Sequence, residues 1–208
     1  MGGIFAVDGK LFNLLSKIAD LVVLNLLWVI FSIPVVTIGA STTALYSVTL
    51  KMVRNEENYV AQSFLHSFKE NWKQSTIVWM GILVAGIILY FDFYAVGHAQ
   101  AMKSVTIPIL VCALILMMIT IYVFPILSYF KVETTKAVKN AGIMSVAYLP
   151  HTLAIVVITL IPLVLLFAEN LVLSLFIDVV IGISASAFGA SFLFRNLFGK
   201  VKVVKESL

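Results

Sequence analysis

Charged residues and cysteine are both scarce in this chain of 208 residues. Only 12% of the residues are charged, whereas 62% are hydrophobic and the mean hydropathy is +1.09. A soluble domain is roughly 45–50% apolar and about 25% charged. Because much of the surface of a small domain stays exposed, a water-soluble fold of this size cannot hide so much apolar surface. The composition therefore predicts an integral membrane protein, with the lipid bilayer as its solvent.

Residues that carry catalysis or metal binding are also few. The single cysteine, Cys112, excludes an internal disulfide and a cysteine-based metal cluster. The three histidines (His66, His98 and His151) show no H-E-x-x-H or related metal spacing, and the sequence has no glycine-rich phosphate loop. No histidine lies deep enough in a span to activate a serine. We therefore expect no metal, no cofactor, no nucleic-acid partner and no enzymatic activity.

Six stretches are long and apolar enough to cross a bilayer as helices. A crossing needs about 20 mostly apolar residues, because each residue advances ~1.5 Å through a ~30 Å core. The candidate spans are residues 11–33, 35–53, 76–94, 105–130, 145–167 and 171–194. They predict one all-α transmembrane bundle over residues 1–208, built from three hairpins.

Positive charge falls almost entirely on one side of this arrangement. With the N-terminus inside, every one of the 14 lysines and arginines except Lys103 lies in an inner segment. Short cytoplasmic loops are enriched in these residues. The pattern predicts both termini in the cytoplasm. The first span is predicted to be an uncleaved helix, because its apolar run exceeds the about 7–15 residues of a signal peptide.

The inner loop at residues 54–75 contains a candidate amphipathic helix at about 57–73. Apolar side chains recur there at four-residue steps from Val60 to Trp72, which predicts a stripe along one helix face. One interpretation is a cytoplasmic helix in the inner interface or packed on the bundle. The alternative is a coupling surface for a partner, formed by Phe64, Phe68, Trp72, Lys69 and Lys73.

The last span carries one carboxylate, Asp178, in an otherwise apolar stretch. A charge at the bilayer centre costs roughly 2.5–3.5 kcal/mol on insertion scales, so it normally faces protein or water. Asn25, Thr42 and Thr43 fall at a similar depth, about 12 Å below the outer face. In one interpretation Asp178 accepts hydrogen bonds from Asn25 and a threonine and holds the helices together. In the other, these groups line an outward-facing polar cavity for a solute, cation or proton.

Small residues follow Asp178 at four-residue spacing. Such patterns let helix backbones approach closely in lipid. The second span has a similar face, and the two are plausible packing partners within the chain or across a homo-oligomer. The candidate packing residues are Gly182, Ser186 and Ala190, then Ala185 and Gly189, and in the second span Gly39 with Thr43.

Three motifs in the first third of the chain are distinctive: "SIPVVTIG" at residues 32–39, "ALYSVTLKMVR" at 44–54 and "FKENWKQS" at 68–75. In these the chain resembles the YesL-like family of bacterial membrane proteins. The resemblance implies a bacterial plasma-membrane protein without an established activity, often encoded beside ATP-binding-cassette (ABC) carbohydrate importers. It carries over no catalytic residue.

Three functional hypotheses follow. The first is an accessory or regulatory component of carbohydrate uptake, which binds importer subunits through helix–helix contacts. The second is an independent transporter or channel that uses the polar level of Asp178, Asn25 and Thr43. The third is a membrane assembly scaffold.

Overall fold

The computed structural model describes residues 10–56, 59–98, 105–130, 132–165 and 171–206. Nearly all of these residues are helical, and no β-strand occurs among them. The predicted all-α fold is therefore confirmed. Some predicted regions lie outside the described residues: the loop between the predicted fifth and sixth spans (168–170), most of the loop between the third and fourth (95–104), and the ends of several predicted segments.

The described residues form eight α-helices. A 3-10 turn at Val35–Thr37 precedes the second, and a π-helical segment at Asp178–Gly182 joins the last two. The helices are α1 (Lys10–Ser32), α2 (Ile38–Val53), α3 (Val60–His98), α4 (Thr106–Tyr129), α5 (Thr134–Ala147), α6 (Leu149–Leu165), α7 (Leu171–Ile177) and α8 (Ile183–Glu206).

Several of these helices suit a bilayer in length and composition. In the described part of the chain, four stretches qualify: Leu11–Ser32, Val60–Gly97, Thr106–Tyr129 and Leu171–Lys200. A fifth is possible if α5 and α6, which meet at a bend of 105°, form one span. The sequence predicts six. The difference arises because α2 has 16 residues and α6 has 17, each shorter than the about 20 of a straight crossing.

Helix α2 occupies the centre of the bundle and packs mainly on α3, α8 and α4. It approaches α3 closely at Gly39, where a Cβ would lie 2.6 Å from both the Ser75 carbonyl oxygen and the Trp79 Cβ. Only a residue without a side chain fits there. On the other side, Tyr46 and Tyr122 both meet the Phe194 ring edge-on, at 5.8 and 5.2 Å between centroids. These contacts join α2, α4 and α8 in one core.

Helix α3 corrects two sequence predictions. The amphipathic helix predicted at 57–73 and the span predicted at 76–94 form one helix of 39 residues, roughly 58 Å long at ~1.5 Å per residue. The predicted apolar stripe is also displaced, because four-residue steps drift by about 40° each around a helix. The side that packs inward instead carries Val60, Phe64, Ser67, Ser75 and Val78.

Helix α5 lies between the predicted fourth and fifth spans, where the sequence predicts an inner loop. Helix α5 begins at Thr134 and buries Ala137, Ala141 and Met144, a spacing of four and three residues that is typical of one helix face. The chain then bends before Pro150. Tyr148 leaves helical geometry, with φ −118° and ψ 45°, and Pro150 lacks the N–H that would continue α5 but fits the first turn of a new helix. The helix within the predicted span at 145–167 therefore begins at Leu149.

Candidate functional site

The side chain of Asn25 connects α1 to the π-helical segment. Its Nδ2 donates to the backbone oxygens of Asp178 and Val179, at 2.8 and 2.7 Å. Its Oδ1 accepts from the backbone N–H of Ser184 at 2.8 Å. A π segment interrupts the regular helical hydrogen bonds, and unsatisfied backbone groups are costly in lipid. Asn25 supplies the missing partners, and it is itself fully buried.

This arrangement corrects one predicted contact. The sequence predicts that Asn25 donates to the carboxylate of Asp178, whereas it donates to the backbone carbonyl of that residue. A further contact was not predicted: the Ser184 hydroxyl donates to the Leu21 carbonyl oxygen at 2.7 Å. Ser184 has no sequence signal for this role, because the π segment that turns it towards α1 is itself not predicted.

The Asp178 carboxylate is left without these partners. The side chain is only 7% exposed and its Oδ1 is buried, yet no donor among the described residues reaches that oxygen. The carboxylate lies against Gly182, one turn further along the helix, where an added Cβ would meet Oδ1. The small-residue pattern predicts that Gly182 makes room for a neighbouring helix. Gly182 instead makes room for the Asp178 side chain.

Asp178 lines a cavity of about 520 Å³ between α1, α2, α6 and the α7–α8 region. Most of the lining is apolar, and its hydroxyl groups come from Thr42, Tyr46, Thr159 and Ser186. Thr42 accepts a hydrogen bond from Trp28 Nε1 at 3.2 Å. No lysine, arginine or histidine is among the described residues that line the cavity, so its walls offer the carboxylate no opposite charge.

The two adjacent threonines point to different helices. Thr42 lines the same cavity as Asp178. Thr43 instead faces α3, where its hydroxyl lies 2.8 Å from the Ser75 Oγ and donates to the Gly39 carbonyl oxygen. Consecutive helical residues are about 100° apart, so both could not face Asp178. The candidate site therefore comprises Asp178, Thr42 and Trp28, with Asn25 holding the backbone.

The remaining packing residues of α8 lie on different sides of it. Ala190 is buried, and a Cβ on Gly189 would lie 3.3 Å from Ile158 Cγ2 of α6. Ser186 lines the cavity, and Ala185 is exposed. Direct contact between α8 and α2 uses Thr49 and Ser191, whose hydroxyls are 2.8 Å apart.

The residues of the candidate partner surface are also partly buried and partly exposed. Phe64 is fully buried and stands edge-on to Phe31 at 5.6 Å, so it cannot contact a partner, and the half-buried Phe68 also packs on Phe31, at 4.9 Å. Trp72 is 45% exposed, and the Lys73 Nζ lies 6.0 Å from the centre of its ring. The exposed part of the surface is reduced to Trp72, Lys73 and Lys69.

A second cavity is larger than the one at Asp178. It measures about 810 Å³ and lies among α3, α4 and α6, with walls such as Leu83, Ile87 and Met117. No aspartate, glutamate, lysine, arginine or histidine is among the described residues that line it. The smaller cavity is thus the better candidate site, because it combines apolar walls with an ionisable group.

Comparison with known proteins gives relatives without an assigned role. Residues 21–93 match the family described as "Protein of unknown function, DUF624". The chain is 26% identical over 156 residues to the uncharacterized protein YteU of Bacillus subtilis, covering 73% of this chain and 70% of that protein. It is 29% identical over 135 residues to the uncharacterized protein YesL of the same organism, covering 62% of this chain and 64% of YesL, just under two thirds. No solved structure matches. Together these matches confirm the resemblance to the YesL-like family, a family of unknown function.

Proposed function

We propose that the chain crosses the bacterial plasma membrane six times, with both termini in the cytoplasm and with α2 and α6 as the two short crossings. Polar groups from separate inner segments meet at one end of the bundle, which supports this topology. Lys17 Nζ donates to Asn55 Oδ1 at 3.2 Å, and Arg195 donates to the Val53 carbonyl oxygen at 3.1 Å. Arg54 lies over the Tyr129 ring at 5.3 Å.

We propose further that the protein binds a small solute inside this bundle as a transporter or channel, and that Asp178 is the binding carboxylate. One observation carries the proposal: Asp178 is buried, its Oδ1 has no donor among the described residues, and the side chain lines a cavity of about 520 Å³. Burying an ionisable group without a partner is costly, so chains that keep one within a membrane usually use it.

The backbone around Asp178 supports the same proposal. Single π-helical turns are frequent at functional sites, and this one is fixed by three hydrogen bonds to Asn25. Because the bonds go to the backbone, they hold Asp178 in position without neutralising its carboxylate. If Asp178 served only to join helices, its side chain would be expected to hydrogen-bond to the neighbouring helix, as Thr49 does with Ser191.

Access to the cavity can be tested with paired cysteines. In a Cys112→Ala background, Ser186→Cys places a thiol in the cavity wall, whereas Ala185→Cys places one on the exposed surface of the bundle. A membrane-impermeant, charged methanethiosulfonate reagent should label the first from outside intact cells and leave the second unlabelled, because a thiol in lipid does not form the reactive thiolate. The absence of labelling at both positions would show a dry site and reject solute binding.

A second candidate function is the accessory role in ABC-type carbohydrate uptake. It rests on the family resemblance, and the exposed Trp72 beside Lys73 is the surface feature that favours it. Tryptophan is common among residues that dominate binding energy at interfaces. Co-purification of importer subunits with the natural chain, and their loss in Trp72→Ala, would support it. Retention of the same subunits by Trp72→Ala would reject this surface. In both functions the proposed role is non-catalytic.

A further inference from the structure

We propose that the ligand of the Asp178 cavity is a monovalent organic cation with an apolar body, such as an alkyl- or arylammonium ion. This inference rests on the proposed solute-binding function and names the chemical class of the solute. It is carried by the combination of a carboxylate whose Oδ1 has no donor among the described residues, an indole ring that lines the same cavity and walls that are mostly apolar.

The charged groups that line the cavity favour a cationic ligand. Asp178 is the only acidic residue, and no basic residue is present, among the described residues that line the cavity. Any ammonium ion would supply the opposite charge, and one that carries N–H groups would also donate to Oδ1, which no donor among the described residues reaches. An anion would meet the carboxylate without a compensating charge, which is unfavourable in a site of low dielectric.

The apolar side chains of the cavity walls favour a ligand with an apolar body. Leu45, Leu163 and Leu175 form apolar surface, and the Trp28 ring lies at the same cavity. A cation within about 6 Å of an indole face gains a cation–π interaction. The volume of about 520 Å³ lies within the roughly 300–1,000 Å³ that is usual for small-molecule sites.

The same walls disfavour sugars and metal ions. A sugar needs many donors, but Thr159 and Ser186 donate to carbonyl oxygens of their own helices at 2.8 and 2.9 Å, and Trp28 donates to Thr42. A dehydrated Ca²⁺ ion takes about 6–8 oxygen ligands, whereas most of this lining is carbon. An ammonium ion needs only the carboxylate and a few lone pairs.

The test uses the full chain, purified in an ammonium-free polyoxyethylene detergent, and calorimetric titration. The probes are benzyltrimethylammonium and neopentylbenzene, which have the same shape and differ in charge. We expect the cation to bind at least about tenfold more tightly than the neutral probe. Asp178→Asn should remove that preference. The control Asp92→Asn, which removes an exposed carboxylate of α3, should retain it.

A second variant keeps the charge but moves it. In Gly182→Ala the new Cβ would meet Asp178 Oδ1, so the carboxylate must change its rotamer while the net charge stays the same. We expect weaker binding of benzyltrimethylammonium with an unchanged melting temperature. Equal binding in the natural chain, Asp178→Asn and Gly182→Ala would overturn the assignment of the cation to this site.

The remaining outcomes separate this inference from the proposed function. If both probes bind equally and Ser186→Cys is labelled, the cavity takes a solute but the cation is rejected. If Ser186→Cys is unlabelled and neither probe binds, both proposals fail. An ammonium group can also belong to a lipid headgroup. Titration of benzyltrimethylammonium in nanodiscs distinguishes the sources. Competition by phosphatidylethanolamine but not by phosphatidylglycerol would indicate the lipid headgroup. The absence of competition by either lipid would indicate a free amine.

Discussion

Asn25 of α1 donates a hydrogen bond to the backbone oxygen of Asp178, with 2.8 Å between Nδ2 and that oxygen. The two residues are 153 positions apart in the chain, so this contact closes the bundle between its first and last helices. It also leaves the Asp178 carboxylate available for another partner.

Replacing Asn25 should therefore destabilise the whole bundle. Asn25→Leu removes three hydrogen bonds, two of them buried and one partly buried, and takes the Asn25 donor away from the oxygens of Asp178 and Val179. We expect a loss of about 2–4 kcal/mol in the free energy of unfolding, measured by detergent titration in bicelles.

A matched asparagine provides the control for this prediction. Among the described residues, the hydrogen bonds of the Asn71 side chain go to Ser67, on its own helix, so Asn71→Leu should cost less than about 1 kcal/mol. Equal losses in Asn71→Leu and Asn25→Leu would mean that the contact between α1 and the π segment contributes nothing specific.

The crossing of α2 and α3 should not tolerate a methyl group at Gly39. In Gly39→Ala the new Cβ would lie 2.6 Å from the Ser75 carbonyl oxygen and from Trp79 Cβ, and neither is the flexible end of a side chain. We expect a loss of about 1–3 kcal/mol from overpacking, seen as a lower melting temperature. In Gly81→Ala nothing lies within 4 Å of the new Cβ, so stability should be unchanged or slightly higher. A neutral Gly39→Ala would contradict the close crossing.

The hydroxyl pair between α2 and α8 should give a small coupling energy. Thr49 Oγ1 and Ser191 Oγ are 2.8 Å apart and both side chains are buried. A double-mutant cycle of Thr49→Val and Ser191→Ala should yield about 0.6 kcal/mol, the average for such bonds in membrane proteins. Strict additivity of the two substitutions would show that this hydrogen bond does not contribute to stability.

Opposite accessibility is expected at Val36 and Lys136. Both are exposed, Val36 in the turn before α2 and Lys136 in the first turn of α5. In a Cys112→Ala background, an impermeant maleimide should label Val36→Cys in intact cells and Lys136→Cys only after permeabilisation. Labelling of both from outside would refute the proposed topology.

Part of the fold follows from local sequence. The long apolar stretches at 11–33, 105–130 and 171–194 predict helices that match α1, α4 and the α7–α8 region to within a few residues at most of their ends. α8, which extends to Glu206, is the exception. These helices are recognisable because length and hydropathy are properties of one segment. The acidic residue of the candidate site is recognisable for the same reason, since a carboxylate in an apolar run stands out without knowledge of its neighbours.

Other features depend on which segments meet. The displaced stripe of α3 and the different directions of Thr42 and Thr43 follow from helix pairing, which the composition of a segment does not specify. Helix α5 shows the same limit: two of its four buried residues are alanines and one is a serine, and such small residues do not mark a helix face by hydropathy alone.

Composition along continuous stretches of the sequence is enough to indicate a lipid environment, a helical class and one acidic residue in the last apolar stretch, because each is a property of a single segment. The crossing of α2 and α3 at Gly39, the π segment between α7 and α8 and the cavity beside Asp178 arise only when the helices pack together. These features require partners from distant parts of the chain: Ser75 and Trp79 for Gly39, and Asn25 for the backbone around Asp178.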